Sequence, residues 1–402
     1  EKVLNICFIS REYPPDTPWG GIGKYTYNLA RGLALAGQNV HVVAQSLDID
    51  RDYKDSGVYV HKVAHKTIFP HKGPLKEFAI RLEYSYRVYQ KLKEIMRKYH
   101  IDIVEAPNFS AEGFVYSFFK KIPLITRLHT HFSEVIEFSG WPRTFDRRLS
   151  CWLEDAAILR SDLITCSTRR HTEVVFRELG LNPDTVEIVP LGTPLPNIEE
   201  EINAEDGSPI VLFVGRLEKR KGVHILVKSI PYILKEIPLT TFILIGRDTF
   251  VSPDFISFDG QEDHSFKAQL IKDIPEQYRQ NVHFLGYVDN SELSKHFLSC
   301  DIFVAPSLYE SFGFIYIEAM SYGKPVIGCG MGGILEIIKD GETGFLVPPE
   351  DPVILADTIL KLLKDKGLRM EMGSRARKYV EANFTTEIMV QNTLKTYRKL
   401  LR

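Results

Sequence analysis

Two glutamates, Glu310 and Glu318, flank a glycine in one short stretch of the chain. The stretch follows a predicted buried strand, 301–307, and Gly313 opens a helix that we predict to run to about Tyr322. Backbone N–H groups at that helix start would face an anion, and Glu318 lies about 7 Å further along the helix axis. The order carboxylate, anion site, carboxylate matches the sugar hydroxyls, diphosphate and ribose hydroxyls of a nucleotide sugar. The same acids would also suit a helix cap and an exposed helix face.

Two cations stand at the end of another predicted strand, 210–214. Arg216 and Lys221 precede a helix that begins near Gly222. Cations are unfavourable beside the positive end of a helix dipole, and a bound diphosphate would offset that cost. The sequence therefore favours a phosphate-binding loop over the alternative, a solvated basic loop.

The loop after the first strand contains Gly20 and Gly21, and adjacent glycines allow the backbone to approach a ligand closely. The loop is not a P-loop, because Pro18 takes the place of the first glycine and Tyr25 follows the lysine. The loop's place after strand one favours a contact with phosphate or sugar. A flexible turn is the alternative.

A histidine comes directly after another predicted strand, 124–128. His129 is favoured over the nearby His131 as a functional residue because it stands at the strand end. A structural role is the alternative, since a lone histidine is more often structural than functional.

Predicted strands and helices alternate along the chain in two successive series. The alternation predicts parallel sheets covered by helices on both faces. A polar, proline-punctuated linker at 190–209 separates the two series. We therefore predict an α/β protein with two doubly wound domains, 1–195 and 196–384, that face each other across a ligand cleft, followed by a terminal helix at about 385–402. The predicted strands are 4–10, 39–44, 102–105, 124–128, 163–166 and 186–189, then 210–214, 242–245, 282–285, 301–305, 326–327 and 345–347.

Composition narrows the class of protein. The chain has 402 residues, of which 44% are hydrophobic and 25% charged, as in ordinary globular proteins. A net charge of −2 provides no global field for nucleic acid. No apolar run is long enough to span a membrane and the first residues do not form a signal peptide, so we expect a cytoplasmic location. Five cysteines without CxxC spacing favour buried, reduced thiols over a zinc site.

A basic region at 62–98 could bind an anionic partner, because it holds ten Lys or Arg and only three acidic residues. Much of it lies on a helix predicted for about 75–99. Contact with an anionic membrane, and so a place at the inner face of that membrane, is one interpretation. A solvated basic face is the simpler one.

Taken together, these motifs resemble glycosyltransferase family 4, whose members are retaining nucleotide-sugar transferases of GT-B fold. The spacing from Glu310 to Glu318 is similar to the family's EX7E motif, and the stretch 215–222 resembles its diphosphate-binding loop. Gly20-Gly21 resembles the family's glycine loop, and His129 matches a histidine of its N-terminal domain. The stretch 332–337 resembles the segment after the last donor-side strand. The resemblance implies that the terminal helix crosses back onto the first domain, and it gives the insertion 250–274 no role.

The resemblance also implies the role of each site residue. Arg216 and Lys221 would bind the donor diphosphate, with Gly21 opposite and with backbone amides near Gly313 and Phe314. Glu310 would contact the transferred sugar, and Glu318 the ribose. Tyr287 and Val288 would contact the base. Phe312 and Gly20 would contribute to donor binding through the loops on which they lie. His129 would contact the sugar or the acceptor. The expected reaction is metal-independent and needs no cofactor. The expected donor is a UDP-sugar such as UDP-glucose. The expected acceptor is a glycan or a lipid-linked molecule of polysaccharide or cell-envelope biosynthesis.

Three other interpretations follow from residue patterns. Asp48 and Asp50 form a DxD pattern typical of metal sites in another transferase fold. Gly328, Gly330 and Gly333 fit G-x-G-x-x-G, which would suit an NAD-dependent oxidoreductase, although only about six residues remain for the helix that must follow. A non-catalytic nucleotide-sugar-binding protein is the third interpretation.

Overall fold

The computed structural model describes residues 2–13, 20–64, 73–198, 207–248 and 265–402. The chain divides into two compact units, the first comprising Glu1–Pro194 and Thr385–Arg402 and the second Leu195–Phe384. Parts of the loop before Gly20, of the basic region 62–98, of the linker 190–209 and of the insertion 250–274 lie outside the described residues. Among the described residues, no helix is both long enough and apolar enough to cross a bilayer.

The first unit is built on an 8-stranded sheet. Its strands are β1 (Asn5–Ile9), β2 (Asn39–Ser46), β3 (Arg51–Asp55), β4 (Val58–Ala64), β5 (Ile103–Pro107), β6 (Leu124–Arg127), β7 (Leu163–Cys166) and β8 (Glu187–Ile188). They lie in the order β3-β4-β2-β1-β5-β6-β7-β8, and all neighbours are parallel except β3 and β4. The carboxyl ends of β1, β5 and β6 therefore lie side by side, at the edge where such sheets bind ligands.

The antiparallel hairpin of β3 and β4 is absent from the sequence prediction, which expected helices between the strands. Its turn has positive φ at Ser56 (48°) and Gly57 (93°). Such a turn joins strands whose twist it matches, and β4 begins with Val58, Tyr59 and Val60, residue types that favour strands. The segment from Asp55 to Gly57 was therefore a usable hairpin signal.

Helices cover this sheet: α1 (Gly21–Leu35), α2 (Lys76–Lys98), α3 (Phe114–Phe119), α4 (Phe132–Ser139), α5 (Phe145–Leu159) and α6 (Arg169–Leu179). Side chains cap several of their starts, with Thr144 before α5 and Thr168 before α6. The structure reduces the exposed part of the basic region, because Lys62 and Arg81 are both buried. Lys62 donates its ammonium protons to the backbone carbonyl of Tyr13, so it cannot contribute to a membrane-facing surface.

The second unit repeats the arrangement with a 6-stranded sheet. Its strands are β9 (Ile210–Val214), β10 (Thr241–Ile245), β11 (Val282–Gly286), β12 (Ile302–Ala305), β13 (Val326–Cys329) and β14 (Gly344–Val347). Its helices are α7 (Val223–Glu236), α8 (Phe266–Asp273), α9 (Asn290–Ser299), α10 (Phe314–Ser321), α11 (Ile334–Ile337), α12 (Pro352–Lys364) and α13 (Lys366–Asn383). The strands are parallel in the order β11-β10-β9-β12-β13-β14, which places β9 beside β12.

The last helix, α14 (Thr386–Leu400), belongs to the first unit. A buried carboxylate fixes it there. Glu105 of β5 accepts hydrogen bonds from the hydroxyls of Tyr397 on α14 and Tyr25 on α1, each at 2.6 Å. Burial raises the pKa of Glu105, and the two hydroxyls and the charge of Arg127 oppose that rise. A single acid thus joins the terminal helix to the helix that follows the glycine loop.

Removing the Tyr397 hydroxyl should weaken this junction. In Tyr397→Phe, one oxygen of a buried carboxylate loses its donor, so we expect the free energy of unfolding to fall by about 1–3 kcal/mol in urea titrations. Tyr86, an exposed tyrosine of the same unit, is the control. Tyr86→Phe should change the value by no more than about 0.5 kcal/mol, and equal effects of the two changes would contradict the role of Glu105.

Candidate functional site

Two loops of the second unit meet at the carboxyl ends of β9 and β12. The amide of Leu308 donates to the carbonyl of Arg220 at 2.8 Å. Gly222 has φ +67°, and a Cβ there would lie 1.8 Å from the carbonyl oxygen of Pro306. Only glycine combines that backbone conformation with so close an approach. The β9–α7 loop and the β12–α10 loop are therefore locked together.

The meeting of these loops pairs Lys221 with Glu310. The Lys221 ammonium contacts Oε1 of Glu310, and the Ser307 hydroxyl donates to the same oxygen at 3.1 Å. Burial alone would raise the pKa of Glu310, but the charges of Lys221 and Arg220 outweigh it and hold that pKa below its ordinary value. Burial lowers the pKa of Lys221, against the pull of Glu310. Two residues singled out in the sequence, 89 positions apart, thus form one largely buried ion pair.

Arg220 completes this cluster, and the sequence analysis missed it. It is buried, with Nη2 2.7 Å from Glu218 and Nη1 3.3 Å from the carbonyl oxygen of Tyr309. Arg216 differs, because 40% of its side chain is exposed and it lies 3.4 Å from Glu218. Three consecutive cations at 219–221 were visible in the sequence. They form a 3₁₀ turn, Lys219–Lys221, and the structure was needed to show that the turn buries Arg220.

Gly313 precedes α10 with φ +94°, and a Cβ there would meet the Tyr316 ring at 2.6 Å. The adjacent side chains of Phe312 and Phe314 are buried. The Phe312 ring packs edge-on against Phe384, with centroids 5.8 Å apart. Phe312 and Phe314 therefore offer a ligand their backbone rather than their rings.

The remaining predicted donor contacts lie on two other elements. Glu318 is half-buried in the second turn of α10. Tyr287 follows β11 and is 51% exposed, and the guanidinium of Arg247 lies 4.6 Å from its ring centroid. Val288 beside it is half-buried. An exposed aromatic ring under a guanidinium is suited to a planar or anionic ligand.

The glycine-rich stretch after β13 supports the Glu310 loop. The Gly333 amide donates to the carbonyl of Glu310 at 2.8 Å, and a Cβ on Gly332 would lie 2.6 Å from the same oxygen. The helix that follows, α11, has only four residues. A dinucleotide site needs a full crossover helix after its glycines, so this geometry disfavours the NAD interpretation.

His129 lies at the end of β6 in the first unit, and side chains hold its backbone on both sides. Its amide donates to Oδ1 of Asn108 at 2.6 Å, and its carbonyl accepts from Nε2 of His171 at 3.0 Å. The ring packs edge-on against Tyr25. Burial, with the charge of Arg127, lowers the pKa of His129 well below its ordinary value, so the ring is neutral. Its Nε2 is buried without a hydrogen-bond partner among the described residues, which leaves one ring nitrogen for a ligand.

His131, the alternative histidine, caps α4. Its Nδ1 lies 2.7 Å from the Ser133 hydroxyl, to which the charged ring donates, and its Nε2 lies 3.2 Å from Asp155 and 3.4 Å from Glu154. Burial alone would lower the pKa of His131, but these carboxylates outweigh it and raise the pKa to about 9. His131 is therefore a structural cation.

These charged histidines predict a pH dependence of stability. The pKa values of His131 and His171 both rise from 6.5 to about 9 on folding. Their stabilisation is therefore complete below pH 6.5 and lost as the pH rises through 9, with a slope of about 1.4 kcal/mol per pH unit for each histidine between those values. Urea titrations across this range should show the decline, and His171→Gln should flatten it. The exposed His283 is the control, because His283→Gln should leave the slope unchanged.

A carboxylate already occupies part of the glycine loop. Oε2 of Glu12 accepts from the Gly20 amide at 2.7 Å and from the Gly23 amide at 3.1 Å. A Cβ on Gly20 would lie 2.5 Å from that carboxylate, whereas a Cβ on Gly21 would meet no atom of the described residues within 4 Å. Gly20 is thus held against Glu12, and Gly21 is the glycine that the described part of the chain leaves open.

The DxD pattern after β2 is tied to the hairpin. Oδ1 of Asp50 accepts from the Ala64 amide at 2.6 Å, and the Asp48 amide donates to Ser46. No group of three or more His, Cys, Asp or Glu within the described ranges is placed to hold a metal ion. Asp50 therefore has a structural role at the end of β4.

Comparison with known proteins adds an independent finding. The profile of a family described as "Glycosyltransferase Family 4" matches residues 19–195, and that of "Glycosyl transferases group 1" matches 196–379. The chain is 26% identical to the glycogen synthase of Mycobacterium tuberculosis, over 98% of this chain and 94% of that protein.

Solved structures resemble the whole chain as well. Sucrose-phosphate synthase from Thermosynechococcus elongatus matches with a TM-score of 0.79 at 23% identity, over 99% of each chain. HepE of Anabaena, solved in complex with UDP and glucose, matches with a TM-score of 0.70 at 20% identity, over 98% of this chain and 99% of that one. These likenesses confirm the predicted GT-B fold of two Rossmann-like domains.

Proposed function

The chain belongs to glycosyltransferase family 4, as its motifs predicted, and from that membership we propose a retaining hexosyltransferase that uses a UDP-sugar. UDP-glucose is the proposed donor, which accords with the solved complex of HepE with UDP and glucose. The proposed acceptor is a glycan or a lipid-linked molecule in polysaccharide or cell-envelope biosynthesis. We propose a cytoplasmic location, with peripheral contact between the exposed part of the basic region 62–98 and an anionic membrane.

The largely buried pair of Lys221 and Glu310 is the observation that carries this proposal. A neutral ligand would not require a lysine, two arginines and two glutamates at adjacent strand ends. With a donor bound, Lys221 and the half-exposed Arg216 face its diphosphate and stabilise the charge that develops as the nucleotide leaves. Glu310 then binds hydroxyls of the transferred sugar, and Glu318 binds those of the ribose.

Retention of configuration is proposed from the family membership. A double displacement would need two carboxylates about 5–5.5 Å apart on either side of one anomeric carbon. On the proposed assignment Glu310 and Glu318 serve the sugar and the ribose instead, and the departing phosphate takes the acceptor proton on the face that it leaves. His129, neutral and with one unpartnered ring nitrogen, contacts a hydroxyl of the sugar or the acceptor.

A screen of nucleotide sugars tests the proposed donor. A ligand that binds the folded state raises its apparent stability by about 2.7 kcal/mol at a hundred times its dissociation constant. We expect UDP-glucose to stabilise the protein more than ADP-, GDP- or TDP-sugars and more than NAD. Stabilisation by NAD alone would favour the oxidoreductase instead.

Release of UDP in the presence of acceptors distinguishes a transferase from a non-catalytic binding protein. We expect UDP release to exceed the slow hydrolysis of the donor once a suitable acceptor is supplied. Stabilisation by UDP-sugar with no acceptor-dependent release in a broad panel of glycans and lipid-linked sugars would favour the binding protein.

Metal-independent transfer is a further prediction. Lys221 and Arg216 supply the positive charge that a divalent cation supplies in other transferases. The initial rate of UDP release should therefore be the same with EDTA as with added Mg²⁺ or Mn²⁺. A loss of rate in EDTA that Mn²⁺ restores would contradict the assignment and direct attention to Asp48 and Asp50.

A further inference from the structure

Two arginines of the first unit, Arg11 and Arg81, carry buried N–H groups that find no hydrogen-bond partner in the described part of the chain. The buried atoms without partners among the described residues include Nε and Nη2 of Arg11, Nε of Arg81 and the hydroxyl of Tyr84. Leaving a buried donor unpaired costs about 1–3 kcal/mol, and more when the group is charged. A cluster of such donors in a folded protein requires an explanation.

The three side chains lie together. The Arg11 guanidinium lies 4.5 Å from the centroid of the Tyr84 ring. Arg81 precedes Tyr84 by about one turn on α2, and its guanidinium lies 4.1 Å from the Phe132 ring. Burial lowers the pKa of Arg81, the charges of Glu154 and Glu77 oppose that fall, and the charge of Arg11 adds to it. The two arginines therefore repel each other, and a bound anion would stabilise both.

The nearby carboxylates do not meet this need. Oε2 of Glu112 accepts from the backbone amide of Arg11 at 2.8 Å. Burial raises the pKa of Glu112 to about 7, although the charge and the amide of Arg11 oppose that rise. Glu77 lies 3.3 Å from Nε of Arg147 and 3.5 Å from Nη1 of Arg81. Neither acid therefore pairs with the Nε atoms or with Nη2 of Arg11.

The third acid near Arg81, Glu154, is also engaged elsewhere. It accepts from the Ser110 amide at 2.8 Å and from the Phe132 amide at 3.1 Å. Ser110 and Ala111 both have positive φ, at 63° and 52°. Consecutive strained residues of this kind persist where the surroundings hold them, and they cluster at ligand sites.

The position of the cluster also points to a ligand. Arg11 follows β1, the strained pair follows β5 and Phe132 follows β6. These strands are neighbours, so the arginines lie at the carboxyl edge of the sheet, where α/β sheets bind ligands. Arg11 is only half-buried, which gives an anion access from solvent.

We propose that Arg11, Arg81 and Tyr84 form an oxyanion subsite, and that it binds a phosphate or carboxylate group of the acceptor. The assignment to the acceptor rests on the proposed function, in which the cations of the second unit hold the donor diphosphate. Guanidinium groups suit this task because their planar forks match the oxygens of phosphate and carboxylate. The acceptor is accordingly an anionic sugar, polyol or lipid rather than a neutral glucan.

Inorganic phosphate and acetate are the probes, with binding measured by isothermal titration calorimetry at constant ionic strength. UDP is present at saturation so that the donor site is filled. We expect at least one of the probes to bind, and Arg11→Met to weaken it about tenfold or more. Arg97, an exposed arginine on the same helix as Arg81, is the control, and Arg97→Met should leave the affinity unchanged.

Tyr84→Phe provides a second variant that should fold, because it removes one unpartnered hydroxyl without a change of shape. We expect unchanged or higher stability without the probe, and a smaller stabilisation by it. Absence of binding by both probes would overturn the proposal. So would binding that UDP abolishes, and so would equal affinities in the wild type and the Arg11→Met and Tyr84→Phe variants.

The result separates this proposal from the proposed function, since probe binding requires no turnover. Loss of probe affinity in Arg11→Met, in a protein that transfers no sugar to any acceptor, would leave the subsite standing and refute the transferase. Sugar transfer with an acceptor KM unchanged by Arg11→Met would refute the subsite alone.

Discussion

Lys221→Ala is expected to lower the rate of sugar transfer by about 10²–10³-fold, the range for removing one donor that stabilises developing charge. Lys221 is the cation that the meeting of two loops holds against Glu310. On the proposed assignment, its charge lies beside the donor diphosphate that leaves. We expect kcat to fall more than KM for the donor rises, because the charge is largest in the transition state.

Loss of fold must be distinguished from loss of chemistry in this variant. Removal of one partner of a buried ion pair costs about 3–5 kcal/mol, since the other charge stays buried. The double variant Lys221→Ala with Glu310→Gln removes both charges, so we expect it to recover much of the stability but none of the activity. Recovery of transfer along with stability would show that Lys221 acts on the fold alone.

A lysine on the adjacent helix provides the matched control. Lys228 lies on α7, seven residues beyond Lys221, and it is exposed. Lys228→Ala should leave both the rate and the free energy of unfolding within experimental error. A near-normal rate of acceptor-dependent UDP release in Lys221→Ala itself would show that the donor diphosphate does not depend on this loop.

The sequence allowed the strand ends of the second unit to be predicted well, because each parallel strand is a short apolar run followed by polar residues. Glu310, Lys221 and Gly222 all follow such runs, and parallel strands bring their carboxyl ends to one edge. Which residues then touch depends on strand order. Nothing local shows that β9 and β12 are neighbours, and the contact between Lys221 and Glu310 depends on that fact.

Residues whose partners are distant in sequence could not be predicted. Glu154 binds the Ser110 amide from 44 positions away, and Glu105 binds the Tyr397 hydroxyl from 292 positions away. An isolated acid on a helix or strand is indistinguishable from a solvated one until the tertiary fold buries it. Glu12 is a nearer case, since only the structure shows that its carboxylate lies against the Gly20 amide.

Gly222→Ala is expected to be among the most damaging single substitutions in the second unit. The left-handed conformation at φ +67° costs a residue with a Cβ about 1–2 kcal/mol. The added carbon would also lie 1.8 Å from the carbonyl oxygen of Pro306, so the β9–α7 and β12–α10 loops must separate. We expect a loss of more than about 4 kcal/mol in the free energy of unfolding.

The conformational and steric parts of that effect can be separated within the same unit. Gly341 has φ +75°, and a Cβ there would meet no atom of the described residues within 4 Å. Gly341→Ala should therefore cost only the conformational part, about 1–2 kcal/mol, and should leave transfer unchanged. In Gly222→Ala, separation of the loops moves Lys221 away from Glu310, so donor binding should be lost even at temperatures where the protein remains folded. Equal costs for the two substitutions, with UDP binding retained in both, would show that the added Cβ of Gly222→Ala is accommodated without separating the two loops.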